Sequence, residues 1–190
     1  MAGFGQAFDE YLEHGAIDDE FAERYGDSYL HQVWPEDVVD GVTGMRRTLI
    51  DCMRMLPLDE SVPIVNSALR AGDVTLAELR EIARSMKGRG RARAMAVAAM
   101  ATARPSNPYE STLYAIASTD PGLEVVPQRP TPVQGGRVLH PDLSDERLRI
   151  VIEAESFEWH GKPAALTRDC VRYNAFTLSG WLVIRFSWQQ

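Results

Sequence analysis

Residues 148–154, Leu-Arg-Ile-Val-Ile-Glu-Ala, form a β-branched apolar run with a carboxylate inside it, and no other stretch restricts the fold as tightly. Ile and Val in such density are the composition of a strand in the interior of a sheet. Side chains alternate along a strand, so Ile150, Ile152 and Ala154 share one face while Val151, Glu153 and Glu155 share the other. Two like charges are then held side by side, which is costly unless they are solvated, protonated or bound to a cation. Asp142, in a Pro-Asp step at the end of the preceding extended segment, is one hairpin away and can reach the same face. Clustered oxygen ligands are what a hard divalent ion such as magnesium requires.

The elements around this strand follow from period and punctuation. Thr43 or Thr48 can cap a helix through TLIDCMRML, which Pro57 ends. A second helix over about 59–71 carries Val62, Val65, Ala68 and Leu69 on one stripe and stops at Gly72. Thr75 and Glu78 form a capping box that opens a third helix through Met86. An alanine-rich helix, ARAMAVAAMATA, ends before Pro105. Asn107 as N-cap, Pro108 at the first position and Glu110 at the third open another, reaching about Ser118. The period then changes from helix to strand. LEVVPQ reads as a strand, RPTPVQGG as a turn-rich loop and RVLHPDL as a second strand, with a tight turn at Asp145 and Glu146 leading into the central one. Residues 162–179 read as an amphipathic helix with Leu166, Cys170, Tyr173 and Thr177 inward and Arg168, Arg172 and Ala175 outward. Gly180 ends it, and WLVIRFSW is a final strand in which Trp181 and Trp188 pack in or against the sheet. Residues 1–40 have weak periodicity and read as one or two short helices. The order predicts an α/β sandwich on a small mixed sheet flanked by helices over 105–190, preceded by a helical module over 1–104.

The formal charge of −7 argues against a general nucleic-acid coat but leaves room for a nucleic-acid enzyme, whose metal site concentrates acid while phosphate binding is local. The basic residues are in fact clustered. Five of the twenty Lys and Arg lie within 84–93, and Arg168, Arg172 and Arg185 form a second group. No run of eighteen apolar residues occurs, so no membrane span is expected, and the acidic opening MAGFGQAFDEYLEHG predicts no secretory signal. Cys52 and Cys170 are too far apart and too few for a zinc site or disulfide framework. They read as buried thiols of a cytoplasmic protein.

Several words, in order, resemble the PD-(D/E)XK nuclease superfamily, whose core is a helix, a β-meander, a helix and a further strand. They are NPYES at 107–111, HPDL at 140–143, IVIEAESFEWHG at 150–161, RDCVRYNAFTLSGW at 168–181 and the closing VIRFSW. Within it the chain resembles most an actinobacterial family related to very-short-patch-repair endonucleases. RTLIDCMRMLP and SALRAGDVTLAEL resemble the antitoxin-like or winged-helix region of abortive-infection proteins. The resemblance implies a restriction-endonuclease-like fold and a DNA endonuclease or nickase, in DNA repair or phage defence, dependent on Mg2+ or Mn2+. Asp142 would be the central metal ligand, Glu153 the second, and Glu110 the additional acid brought from the helix ahead of the sheet. Glu155 stands where the superfamily usually has Lys. His160 would serve in proton transfer or at the scissile phosphate, Lys162 would replace the missing cation, and Arg168 and Arg172 would contact DNA phosphates. The helical module would serve a homodimer or a protein partner.

Each residue also has a simpler reading. A strand-end Asp142 can be a turn residue, Glu155 can be solvated, and Glu110 is a complete helix N3 acid. His160 can be a satisfied structural histidine, Arg168 and Arg172 members of a surface ion-pair network, and 87–93 a solvated, glycine-loosened linker. Glu153 in the middle of an apolar strand has no such inexpensive account. The other functional reading is a catalytically inactive DNA-binding or protein-interaction module, such as a defence-system regulator, on the same scaffold.

Overall fold

The computed structural model describes residues 37–39, 41–155 and 163–187. The chain divides into two compact units, Met1–Val42 and Thr43–Gln190. Of the first, only 37–39, 41 and 42 are described, with β1 at Val38–Val39 and the start of β2 at Val42–Thr43. The helices expected within 1–36, and Trp188, lie outside the described residues.

Four helices open the second unit: α1 (Met45–Met55), α2 (Leu58–Ala71), α3 (Leu76–Ser85) and α4 (Arg91–Met100). Neither Thr43 nor Thr48 caps α1; Gly44 is its N-cap, and the two threonine hydroxyls bond each other at 2.8 Å. The capping box of α3 forms as expected. Glu78 N–H donates to Thr75 Oγ1 at 3.2 Å and Thr75 N–H donates to Glu78 Oε2 at 2.8 Å. Gly72 ends α2 in the left-handed conformation, φ +79°. The apolar stripes of these helices meet in one core of Leu49, Met53, Val62, Val65, Leu79, Ile82, Ala94 and Val97.

The fifth helix, α5 (Pro108–Ala117), starts after the turn in which the module was expected to end and belongs to both parts. One side packs on α2. Pro63 lacks the N–H that would meet the Asp59 carbonyl, and the Thr112 hydroxyl of α5 donates to that carbonyl at 3.2 Å instead. Asn66, fully buried, donates to Ser111 Oγ at 3.3 Å and accepts from Thr102 N–H at 2.8 Å. The other side of α5, through Leu113 and Ala117, covers the sheet residues Leu143 and Ile152.

The main sheet has the order β3-β6-β7-β8. Its strands are β3 (Val126–Pro127), β6 (Leu143–Asp145), β7 (Ile150–Glu155) and β8 (Leu182–Ser187). The first two pairings are antiparallel and the last parallel, reached through α6 (Pro163–Leu178). The architecture is therefore α/β, a small mixed sheet flanked by helices and preceded by a helical module. The predicted alternation along β7 holds. Ile150, Ile152 and Ala154 face the α5 side, whereas Val151 packs on the other side with Phe176 and Trp181.

Four expectations are corrected. The loop RPTPVQGG contains a strand, β4 (Thr131–Val133), paired antiparallel with β5 (Arg137–Leu139). RVLHPDL is two strands in two sheets, since Pro141, with no N–H to give a ladder, lies at the break between β5 and β6. Helix α6 is rotated about its axis from the expected face. Phe176, fully buried, sets its inner face, with Arg172, Tyr173 and Ala175 beside it; Leu166 is 60 % exposed, and Thr177 and Cys170 are also exposed. Cys52 is half-buried, so neither cysteine is the buried thiol expected.

Candidate functional site

The break before β6 and the end of β7 bring the acids together. Leu143 pairs with Ile152, and one step further along that register Asp142 comes opposite Glu153. Asp142 is fixed from the backbone: Ala154 N–H donates to its Oδ2 at 2.8 Å. Its Oδ1 accepts from the side-chain amide of Gln128 at 3.2 Å, and the same nitrogen donates to Glu110 Oε2 at 3.0 Å. Gln128 is thus a neutral wedge between two carboxylates. Its own N–H donates to the Asp142 carbonyl at 3.1 Å, and its φ of +51° is in the left-handed region, unusual for a residue with a side chain.

Glu110 is buried at the start of α5 and accepts from Ser106 N–H at 2.7 Å and from the Asn107 side-chain amide at 2.8 Å. It is an N3 acid and a member of the cluster at once. Glu153, 5 % exposed, accepts from the Arg172 guanidinium at 3.0 Å, and that guanidinium also donates to the His140 carbonyl at 2.6 Å. The expected outward direction of Arg172 is wrong, because the buried Glu153 carboxylate on the sheet face draws its guanidinium inward. Arg168 is exposed, and none of the hydrogen bonds at the acids involves it. Glu155 accepts from the Tyr173 hydroxyl and, at 2.7 Å, from Arg185 Nε; the Arg185 guanidinium lies over the Tyr173 ring at 4.5 Å. His160 and Lys162 lie outside the described residues.

Protonation separates these acids from an ordinary structural one nearby. Burial first, and then the charge of Glu110, pushes Asp142 up to about 6. Burial and the charge of Asp142 push Glu153 up to about 8, against the opposing pull of Arg172. Asp145, three residues from Asp142 and fully buried, goes the other way. Burial raises its carboxyl, but N–H donors from Glu124 at 2.7 Å and Leu148 at 2.9 Å, with Arg147, outweigh that and hold it below the usual carboxylate range. Burial, the hydrogen bond to Glu155 and its charge together raise the Tyr173 hydroxyl.

The pattern identified Asp142 and Glu153 as neighbours on one face, and the structure places them so. It missed Gln128 and gave Tyr173 and Arg185 no role at the acids. One signal was present for Arg185: a charged residue inside the apolar strand WLVIRFSW, as Glu153 is inside LRIVIEA, asks for a partner of opposite sign. The parallel register sets Arg185 opposite Glu153.

All four acids offer hard oxygen ligands, and two, Asp142 and Glu153, are raised in pKa by burial and by a neighbouring carboxylate, the cost that a bound cation relieves. Among the described residues no three His, Cys, Asp or Glu side chains already stand together as a metal site, and the Gln128 amide lies between Glu110 and Asp142.

Among the described residues no helix is long and apolar enough to cross a membrane. No family model matches the chain, and no solved structure matches it. Two curated proteins do, the uncharacterized proteins Rv2248 and MT2308 of two strains of Mycobacterium tuberculosis. Each is 26 % identical over 140 residues, which is 72 % of this chain and 51 % of the relative, so the chain spans about half the length of the relatives it is similar to.

Proposed function

We propose that this chain is a cytoplasmic, metal-dependent DNA endonuclease or nickase. The observation that carries the reading is the pair Asp142 and Glu153, one half-buried and the other buried, side by side and both pushed above their ordinary range. Such a pair, destabilised when both are ionised, is suited to a divalent cation. Asp142 and Glu153 would hold magnesium or manganese, with Glu110 on the far side of the Gln128 amide. When bound, the ion supplies charge neutralisation at the phosphate and lowers the pKa of water.

The protein's own groups do the rest. Ala154 N–H fixes the orientation of the Asp142 carboxylate, and Arg172 holds Glu153 toward the break before β6. Arg185, half-exposed and tied to Glu155, is the cation beside the position where the resembling nucleases carry lysine. Phosphate contacts by Arg168 and Lys162 belong to the same reading.

A second reading draws on a specific observation. Gln128 and Arg172 already satisfy Asp142, Glu110 and Glu153, as they would in an inactive scaffold kept as a DNA-binding or protein-interaction module. Plasmid DNA incubated with the protein and magnesium or manganese separates the two. The nuclease reading expects nicked or linear product that disappears in Asp142→Ala and Glu153→Ala. Intact plasmid with both metals at low salt favours the inactive scaffold.

A further inference from the structure

Away from the acids, the turn between α3 and α4 concentrates positive charge. No Asp or Glu occurs between Glu81 and Glu110, and Arg84, Lys87, Arg89, Arg91 and Arg93 fall inside that interval. From Thr43 to Arg104 there are eleven Lys and Arg against six Asp and Glu, in a chain whose formal charge is −7.

The turn is anchored rather than loose. Gly90 has φ +81°, and a Cβ there would lie 2.4 Å from Cγ of Arg54 and 2.8 Å from its carbonyl oxygen, so the turn is pressed against the end of α1. Arg93 donates to the Met55 carbonyl at 2.6 Å, and Met86 and Ala94 on either side of the turn are buried. The linker reading, which took the glycines as a sign of flexibility, does not fit this packing.

From this fixed base Lys87, Arg89 and Arg91 stand exposed, and among the described residues none of their side chains has a hydrogen-bonding or ionic partner. Arg91 and Arg93 also occupy the first turn of α4, which has no acid and no side-chain cap. Cations at the positive end of a helix dipole work against stability. This local arrangement is unfavourable for the isolated protein and becomes favourable once an anion is present.

We infer that the α3–α4 turn, through Lys87, Arg89 and Arg91, is a docking surface for the phosphate backbone of nucleic acid. The class of partner follows from what the turn lacks. Its one bulky apolar side chain, Met86, is buried, so it has neither the apolar centre of a protein interface nor a side chain to insert into a lipid surface. Two guanidinium groups and an ammonium, on a turn with no exposed bulky apolar side chain of its own, match phosphates, giving affinity and register without base choice. The proposal extends the nuclease reading to a surface remote from the acids, and the two can fail separately.

The test is fluorescence anisotropy of the full chain with a labelled duplex and a labelled single strand of about 20 nucleotides, in EDTA so that cleavage cannot intervene, across about 50 to 200 mM salt. Lys87→Ala/Arg89→Ala/Arg91→Ala is expected to lose about tenfold or more in affinity, and the slope of log K against log salt to fall by about 2 to 3. Far-UV circular dichroism of the variant should match the parent, since all three side chains are exposed. Unchanged affinity and slope in the variant overturns the proposal, and so does a parent that binds neither probe at the lowest salt or binds phosphatidylserine vesicles instead. If DNA stays intact with both metals while binding persists and weakens in the variant, the docking surface stands and the nuclease reading falls. If cleavage occurs while the variant binds like the parent, the reverse holds.

Discussion

Asp142 and Glu153 hold their protons to about 6 and about 8, both above the range of free carboxyls. A carboxyl whose folded pKa is raised favours the folded state while it is protonated, and loses that contribution as pH rises through the folded value. Without metal, stability is therefore expected to fall between about pH 4, the range of the free carboxyls, and about pH 8. Glu153→Gln should flatten that fall, gaining on the parent by about 1–2 kcal/mol at pH 8 relative to pH 5, while the cost of leaving Arg172 without its counter-charge is the same at both pH values. Urea unfolding at the two pH values checks this, and parallel profiles for parent and variant would contradict the site's electrostatics. Part of this chemistry was legible beforehand. Glu153 announces itself because an acid inside an apolar strand has few inexpensive explanations, and Asp142 because the Pro-Asp step places it one hairpin away. Gln128 and Tyr173 could not be read as site residues, since nothing in their neighbourhood marks a side chain whose partners lie on other elements.

Among the elements, those with chemical punctuation were the legible ones. The capping box at Thr75 and Glu78, the Asn107-Pro108 start and the Gly72 stop each satisfy or release a specific backbone group, and the helices they bound match expectation. The hairpin of β4 and β5 was hidden because Pro132 and two glycines look like loop, while its pairing is made with a partner several residues on. The face of α6 was misread because Leu166, Cys170, Tyr173 and Thr177 make a plausible stripe, whereas Phe176 and the Glu153–Arg172 bond fix the real one. Two glycines give a test at this scale. Gly72 and Gly90 share a left-handed φ, yet a Cβ at Gly72 meets nothing within 4 Å. Gly72→Ala is expected to cost about 1 kcal/mol, for backbone strain alone, and Gly90→Ala about 2–3 kcal/mol, because Arg54 must also give way. Equal losses in urea midpoints would mean that the turn does not press on α1.

For the molecule as a whole, the helical and sheet cores of the second unit are joined through α5, which carries residues of both. Asn66 ties α2 to α5 and to the segment after α4 with two hydrogen bonds, and Tyr109 at the start of α5 donates to the Phe186 carbonyl of β8 at 2.8 Å. Neither part can open without exposing the helix it shares with the other. Residues 43–190 are expected to unfold in one cooperative transition, with fluorescence of Trp181, in the sheet core, coinciding with helical circular dichroism in urea. Two separated midpoints would show that α5 does not couple the cores. This coupling was not legible in the sequence, where Pro and small polar residues at 104–107 look like a boundary. The residues that cross it, Asn66 and Thr112, are ordinary polar residues whose roles appear only when the helices meet.

Gln128 sets the separation between α5 and the break before β6, because its one amide nitrogen reaches a carboxylate from each. Asn is a methylene too short to span both, Glu would add a third charge, and Met would take the one shared donor away from both Glu110 and Asp142. Interchange of Asp and Glu at the acidic positions keeps the charge and moves it slightly. The neutral residue in the cluster is thus its gauge, and the one with the fewest acceptable replacements.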